Sequence, residues 1–211
     1  MRRPRVIAEQ ARHARGALGR IIALIMARET WRDNLAAIDT LYIQSRDHVL
    51  DVGCGHKRSL GELAARAHSG RVTGIDPSQT MIDIAARRNR ALVRDRRVDL
   101  ALANADQTHF ADESYDKLLC VHVAYFWPSL SAACAELARV TKQGGRLAMV
   151  LRTAANEAAV RAFPVDVYTF PTLNGVIAAL NEAGFVVLTE ESNCRDEAHA
   201  PVLLVAERAG R

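Results

Sequence analysis

One short stretch, residues 49–60, constrains the fold of this chain more than any other. Its apolar run ends in Asp51, Gly53 and Gly55 follow, and an amphipathic helical pattern then begins. This order predicts a strand, a tight turn and a helix, because glycine lets the backbone bend sharply and lie close to a ligand. The free N–H groups at the start of such a helix face whatever is bound at the turn. The stretch therefore predicts a site for a nucleotide-type cofactor.

Strands and helices alternate along most of the chain. Five short apolar runs are predicted to be strands: 48–52, 71–75, 98–103, 115–121 and 146–151. Helical patterns separate several of them: about 58–68, a stretch that begins at Pro77-Ser78, and 129–141. This rhythm is typical of βαβ units around a parallel sheet. The tail differs, because a helix over 172–183 precedes two adjacent strands, 185–189 and 202–206, which are expected to pair antiparallel.

The apolar spacing of residues 5–28 and 30–43 also predicts helices, the first interrupted near Gly16 or Gly19. The chain lacks internal repeats and low-complexity segments, so a single domain is predicted over residues 1–211. Its expected parts are a helical cap (1–45), a cofactor-binding core (46–151) and a segment that completes the sheet (152–211).

Composition limits the classes of protein. Hydrophobic residues make up 49% of the 211 residues and charged residues 25%, as in an ordinary globular domain. The net charge of +4 is uneven, since residues 1–35 carry eight arginines against three acidic residues. Such a segment could meet nucleic acid, an anionic membrane surface or an acidic substrate, but without interleaved aromatic residues a solvated helix face is favoured.

Four cysteines without paired spacing indicate free thiols in a reducing compartment, with neither a disulfide frame nor a metal site. The apolar stretches are too short to span a membrane. We therefore expect a cytoplasmic protein without a targeting signal, and a homodimer is left open.

The identity of the cofactor follows from the turn. A dinucleotide fingerprint, G-x-G-x-x-G, has Arg58 at its last glycine position here, whereas Asp51 suits a cationic ligand group. Residues 49–55 (VLDVGCG) resemble the first motif of the class I S-adenosylmethionine-dependent methyltransferases. This resemblance implies S-adenosyl-L-methionine as the cofactor and a Rossmann-like, doubly wound α/β fold. It also implies a seven-stranded sheet that is mostly parallel with a terminal antiparallel strand. Lys57 departs from the family, which often has a third glycine there.

Asp76 ends the second predicted strand, where a carboxylate can accept both hydroxyls of a ribose. Enzymes that use NAD place a carboxylate similarly, and Asp76 could instead cap the helix at Pro77. Met81 lies where the family has an apolar contact with adenine, although it could equally be helix core. The segment 105–115 resembles the family's acidic loop, in which Asp106 would accept from the adenine amino group; a solvated aspartate is the alternative.

The segment 114–122 resembles the fourth family motif, a strand that ends beside the sulfonium. His122 would then face the methyl group or its acceptor, either as a general base or as a residue that shapes the pocket. Tyr125 and Trp127 could wall the acceptor pocket or pack under a loop. Together, the resemblance implies cofactor contacts from twelve residues: Asp51, Gly53, Cys54, Gly55, Asp76, Pro77, Met81, Ala105, Asp106, Gln107, Val121 and His122.

These features favour methyl transfer by in-line displacement to a small-molecule N, O, S or C nucleophile. One alternative acceptor is RNA or protein, bound through the basic N-terminal helices. Another hypothesis is an inactive, methyltransferase-like binding subunit, and a nicotinamide-dependent dehydrogenase is disfavoured by Arg58. Any lid over the site is expected from residues 1–45 or 152–172.

Overall fold

The computed structural model describes residues 4–12, 16, 19, 30–55, 58–192 and 200–210. Several predictions fall on other residues and lie outside this described part: those for Lys57, for Cys194 and for most of the helical pattern of residues 13–29. The same holds for Arg2, Arg3, Arg15, Arg20 and Arg28, which are five of the eight arginines in the basic N-terminal segment.

Seven strands within the described residues form one sheet, in the order β3-β2-β1-β4-β5-β7-β6. Their bounds are β1 His48–Val52, β2 Arg71–Asp76, β3 Val98–Leu102, β4 Tyr115–Val121, β5 Thr141–Leu151, β6 Phe185–Ser192 and β7 Val202–Arg208. Neighbouring strands among β1–β5 are parallel, whereas β7 is antiparallel to both β5 and β6. The predicted fold class is therefore confirmed. The strand order reverses between β1 and β4, where α/β sheets open a crevice at their carboxyl ends.

Helices flank the strands, and several begin at a side-chain cap. Their bounds are α1 Arg5–Arg12, α2 Trp31–Thr40, α3 Ser59–Arg66, α4 Gln79–Arg88, α5 Arg90–Arg94, α6 Leu130–Val140, α7 Glu157–Ala162 and α8 Leu173–Glu182. Ser78 and Thr172 accept backbone N–H groups at the predicted starts of α4 and α8. The short helices α5 and α7 were not predicted.

The core lies on both faces of the sheet because neighbouring strand residues point in opposite directions. Leu118 and Cys120 of β4 belong to one buried cluster, which includes apolar residues of α6 and α8. Leu119 and Val121 belong to the other, with residues of α2, α3 and α4. This two-sided burial explains why the strands are nearly continuous apolar runs, and it leaves the carboxyl ends of the strands as the place for a site.

Strand β5 differs from its prediction, because it begins at Thr141 and not at Arg146. Thr141 pairs with Tyr115, and the register between β4 and β5 then shifts by a bulge. The pair Gly144-Gly145 lies inside this irregular stretch, between the predicted helix 129–141 and the predicted strand 146–151. A local pattern does not predict such a bulge, since the partner strand decides whether the residues pair.

Candidate functional site

The glycine turn lies against the loop that leaves β4. Gly53 and Gly55 have φ values of +66° and +53°, which favour glycine. A Cβ atom at Gly53 would collide with Cγ1 of Val123. On the other side of the turn, the Cys54 N–H donates to the Ile75 carbonyl at the end of β2 (2.8 Å). The turn is therefore fixed between β2 and the β4 exit loop.

Two carboxylates surround this turn. Asp76 is 8% exposed, and its oxygens accept from the N–H groups of Gly55 (3.0 Å) and Ser78 (2.8 Å). Asp51 is fully buried, and one of its oxygens accepts from Ser59 Oγ (2.6 Å). Each carboxylate oxygen has two lone pairs and can accept more than one hydrogen bond. Ser78, and not Asp76, is the cap of α4, while Asp76 joins the start of that helix to the glycine turn.

The chemistry of these groups fits the predicted cofactor. S-adenosylmethionine carries an ammonium group and ribose hydroxyls, which are the donors that Asp51 and Asp76 would accept from. S-adenosylmethionine has no phosphate that would need a cationic side chain at the turn. The Arg58 guanidinium instead lies over the Trp31 ring, 4.3 Å from its centroid. The residues at the turn thus fit a cationic, phosphate-free nucleoside.

The other predicted cofactor residues follow β2, β3 and β4 at the same end of the sheet. Met81 and Ala105 are buried, and Met81 packs with Ile84 outside both main clusters. The remaining members differ in burial: Pro77 and Gln107 are exposed, Asp106 is half-buried and Val121 is buried. The structure brings the set to one edge; contacts with a cofactor stay a prediction.

A network of charges holds the acidic loop against α6. Glu136 Oε1 accepts from both the N–H (2.8 Å) and the Oγ1 (2.6 Å) of Thr108. Arg139 donates to Glu136 and to Asp112 of the same loop. These hydrogen bonds, the one from Arg139 above all, lower the Glu136 pKa to about 2. Glu136 therefore stays ionised and anchors the loop that carries Asp106.

His122 follows β4 in a left-handed backbone conformation, with φ at +59°. Its N–H donates to the Val150 carbonyl (2.8 Å), which continues the pairing of β4 with β5. The ring nitrogens contact two side chains: Nε2 lies 2.7 Å from Asp33 Oδ2, and Nδ1 lies 2.5 Å from Tyr125 Oη. The imidazole is thus held from both sides, by a residue of α2 and by a residue of the β4 exit loop.

Burial raises the Tyr125 pKa far above its ordinary value, so the phenol keeps its proton. Tyr125 Oη therefore donates to His122 Nδ1, and this assigns the imidazole proton to Nε2, which donates to Asp33. The result is a chain of hydrogen bonds from phenol to imidazole to carboxylate. Such a chain orients the imidazole and places it beside a carboxylate that can take up or stabilise a proton.

A cavity of about 250 Å³ lies next to this chain. Its lining comes from three segments: residues 30–33, 122–126 and 152–170. His122 and Tyr125 are among the lining residues. Trp127 is not, and it is instead partly buried against the core. The two segments from which a lid was expected both contribute to the walls.

Five aromatic rings form one side of this cavity and touch one another. The shortest centroid distances join Tyr168 to Phe163 (4.6 Å) and to Phe126 (4.7 Å). Tyr125 and Phe170 complete the group, 5.2 Å apart. We call these rings the aromatic wall: Tyr125, Phe126, Phe163, Tyr168 and Phe170. Phe163, Tyr168 and Phe170 were not predicted, although three aromatic residues within eight positions could have indicated them.

The sequence reasoning also missed three polar lining residues, Asp33, Arg152 and Asn156. Asp33 lies 89 positions from His122, so no local pattern could relate them. Within the part of the chain that the structure describes, no group of His, Cys, Asp or Glu side chains is arranged to hold a metal ion. No helix in that part has the length and apolar character needed to cross a membrane.

Fold and site together define a Rossmann-like domain with a cofactor turn and a separate cavity at the carboxyl edge of its sheet. Residues 50–149 match the family model described as "Methyltransferase domain". Over these 100 of its 211 residues, the chain matches a methyltransferase domain, as the motifs predicted.

Methyltransferase GfsG of Streptomyces halstedii is 29% identical over 172 residues, which are 82% of this chain and 55% of that protein. An O-methyltransferase of Pyrenophora dematioidea is 30% identical over 120 residues, 57% of this chain and 45% of that protein. This chain thus spans about half the length of these relatives.

A solved structure of geranyl diphosphate C-methyltransferase from Streptomyces coelicolor A3(2) superposes with a TM-score of 0.71. The match covers 84% of this chain and 77% of that one at 17% identity. That crystal contains Mg²⁺, geranyl diphosphate and S-adenosyl-L-homocysteine. At this identity, the likeness shows the fold alone.

Proposed function

We propose that this protein transfers the methyl group of S-adenosylmethionine to a small-molecule nucleophile held in the cavity beside His122. One observation carries the proposal: the β4 exit loop, which begins at His122, contacts the glycine turn and also lines the cavity. Val123 packs on Gly53 of the cofactor turn, while its neighbours His122 and Tyr125 line the cavity. A cofactor on the turn and an acceptor in the cavity would therefore be close neighbours, as in-line displacement requires.

The cofactor, when bound, supplies an electrophilic methyl group on a sulfonium. Asp51 would accept from its ammonium group and Asp76 from its ribose hydroxyls, while Gly53 and Gly55 keep the backbone of the turn accessible. Met81, Ala105 and Asp106 would surround the adenine. The remaining predicted contacts, Cys54, Pro77, Gln107, Val121 and His122, would complete the cofactor site.

The chain's own contribution to the chemistry would be positioning and control of one proton. Both His122 nitrogens are already hydrogen-bonded, so His122 would act together with Asp33 and not as an isolated base. An acceptor hydroxyl or amine could donate to this pair while its nucleophilic atom faces the cofactor. The aromatic wall would exclude water from the reaction.

The names of the relatives support an acceptor of low molecular weight. The Pyrenophora relative is named an O-methyltransferase, and the Streptomyces structure holds geranyl diphosphate, a small organic molecule. A cavity of about 250 Å³ suits an acceptor of that size class better than a nucleotide in a chain or a protein side chain with its backbone.

The proposal is tested by measuring S-adenosylhomocysteine formation from S-adenosylmethionine with a panel of phenols, aromatic acids and amines, for the wild type and for His122→Asn. Asparagine tolerates the left-handed conformation, so the substitution removes the imidazole without adding backbone strain. We expect turnover with at least one acceptor and a loss of at least tenfold in kcat for the variant, larger than any loss of affinity for S-adenosylhomocysteine. Cofactor binding without turnover of any member of the panel would contradict the proposal.

A further inference from the structure

Two side chains with donor groups, Arg152 and Asn156, line the wall of the cavity on the segment that follows β5. Arg152 comes directly after β5, and its guanidinium makes no ion pair with any residue that the structure describes. Asn156 is only 3% exposed. Its Oδ1 accepts from the Ala159 N–H (2.8 Å) and caps α7, but its Nδ2 is buried and finds no hydrogen-bond partner among the described residues.

A buried amide N–H₂ without a partner is destabilising, and most such groups in proteins are satisfied. Asn156 cannot relieve the cost by exchanging its two ends, because Oδ1 is needed for the α7 cap. The cap and the unpaired donor therefore point to an acceptor atom that a ligand would bring into the cavity.

The charge of the lining selects the kind of ligand. Aromatic walls often bind cations, but Arg152 would repel one here. The acidic lining residue is Asp33, and its Oδ2 already accepts from His122. A single guanidinium with a neutral amide donor matches a carboxylate, which takes a bidentate arginine and further hydrogen bonds. A phosphate dianion would leave excess negative charge beside Asp33.

We infer that the cavity binds a flat, aromatic carboxylic acid, with the carboxylate held by Arg152 and Asn156 and the ring against the aromatic wall. The inference rests on the proposed function in taking this cavity as the acceptor site. It adds the substrate class: the nucleophile that reaches the Asp33–His122 pair is carried by an aromatic acid. Arg152 and Asn156 then determine specificity, and the rings supply most of the apolar contact.

The test is calorimetric binding of benzoate, cinnamate and 2-naphthoate, each compared with its own carboxamide, with and without S-adenosylhomocysteine. A carboxamide keeps the ring and the size but loses the charge. For the wild type we expect at least one carboxylate to bind at least about tenfold more tightly than its amide, as charge-assisted hydrogen bonds imply.

Two variants locate the effect. Arg152→Gln removes the charge, and Asn156→Asp keeps an oxygen to cap α7 while replacing the N–H₂ donor; each is expected to reduce the preference for the carboxylate about tenfold. Arg161→Gln is the matched control, because Arg161 lies on α7 with its side chain 74% exposed. Thermal melting of all variants shows whether the fold is kept.

Equal binding of acid and amide by the wild type in all three pairs would overturn the inference, and so would a preference that persists in Arg152→Gln. The proposed function fails separately. A carboxylate preference in a protein that does not bind S-adenosylhomocysteine would support the acid subsite while contradicting the cofactor assignment.

Discussion

His122 combines a strained backbone with two short side-chain contacts. A left-handed conformation at a residue other than glycine costs on the order of 1–3 kcal/mol and persists only where the surroundings impose it. Here the surroundings are the hydrogen bond to Val150 and the contacts of the ring with Asp33 and Tyr125. Such strain is concentrated at functional sites, which agrees with the role proposed for this residue.

Gly53 gives the sharpest prediction at this scale. Gly53→Ala should weaken S-adenosylhomocysteine binding at least tenfold, because the added Cβ collides with Val123 and forces the turn to move. It should also lower the free energy of unfolding by more than about 1 kcal/mol, since alanine is strained at positive φ. Calorimetric titration and chemical denaturation measure the two effects.

Gly144→Ala is the matched control for Gly53→Ala. Gly144 has a similar φ of +71°, but a Cβ there meets nothing within 4 Å, and the residue lies in β5 away from the turn. Gly144→Ala should lower the free energy of unfolding by about 1 kcal/mol and leave the affinity for S-adenosylhomocysteine unchanged. Equal affinity losses in both variants would contradict the packing argument.

Among the elements, the strands were the most predictable, because a buried strand is an apolar run wherever it lies in the sheet. The bounds of β1 and β4 agree with the prediction to the residue. Helix α7 has only six residues and was missed, since a pattern this short contains less than two turns of periodicity. Tyr42 lies within the predicted helix 30–43 but beyond the end of α2, and it is exposed because the chain turns left-handed there. The Arg146 guanidinium lies over its ring.

The contact between the acidic loop and α6 gives a prediction with a defined pH dependence. The Glu136 pKa falls from 4.5 to about 2 on folding. A lowered pKa stabilises the native state above pH 4.5, and this contribution is lost as the pH falls towards 2. Glu136→Gln should therefore lower the free energy of unfolding by roughly 1–3 kcal/mol at pH 7, as measured by urea denaturation. The difference in this free energy between variant and wild type should shrink below pH 4.5.

Glu157→Gln is the control for that measurement. Glu157 pairs with Arg161 on the surface of α7, and both side chains are about three-quarters exposed. Exposed ion pairs at this spacing contribute below about 0.5 kcal/mol to stability. The free energy of unfolding of Glu157→Gln should therefore stay close to that of the wild type, both at pH 7 and below pH 4.5. A penalty in Glu136→Gln that stays constant from pH 7 to pH 3 would show that ionised Glu136 is not what holds the loop.

At the scale of the whole molecule, the two halves of the site differ in how they can be foreseen. The proposed cofactor half follows single strands, so local motifs such as Asp51-Val-Gly and Asp76-Pro indicated it. The cavity is assembled from segments far apart in the chain. Tertiary packing of these segments decides whether Asp33 meets His122 and whether Arg152 lies beside the aromatic wall. The periodicity of apolar residues in the sequence does not predict such packing.

The central claim is that this fold holds S-adenosylmethionine on the glycine turn, and calorimetric titration with S-adenosylhomocysteine tests it most directly, with NADH as the control ligand. The account predicts micromolar binding of S-adenosylhomocysteine, weakened at least tenfold in Asp76→Ala, and no binding of NADH. Binding of NADH with equal or higher affinity, or binding of neither ligand by folded protein, would contradict it.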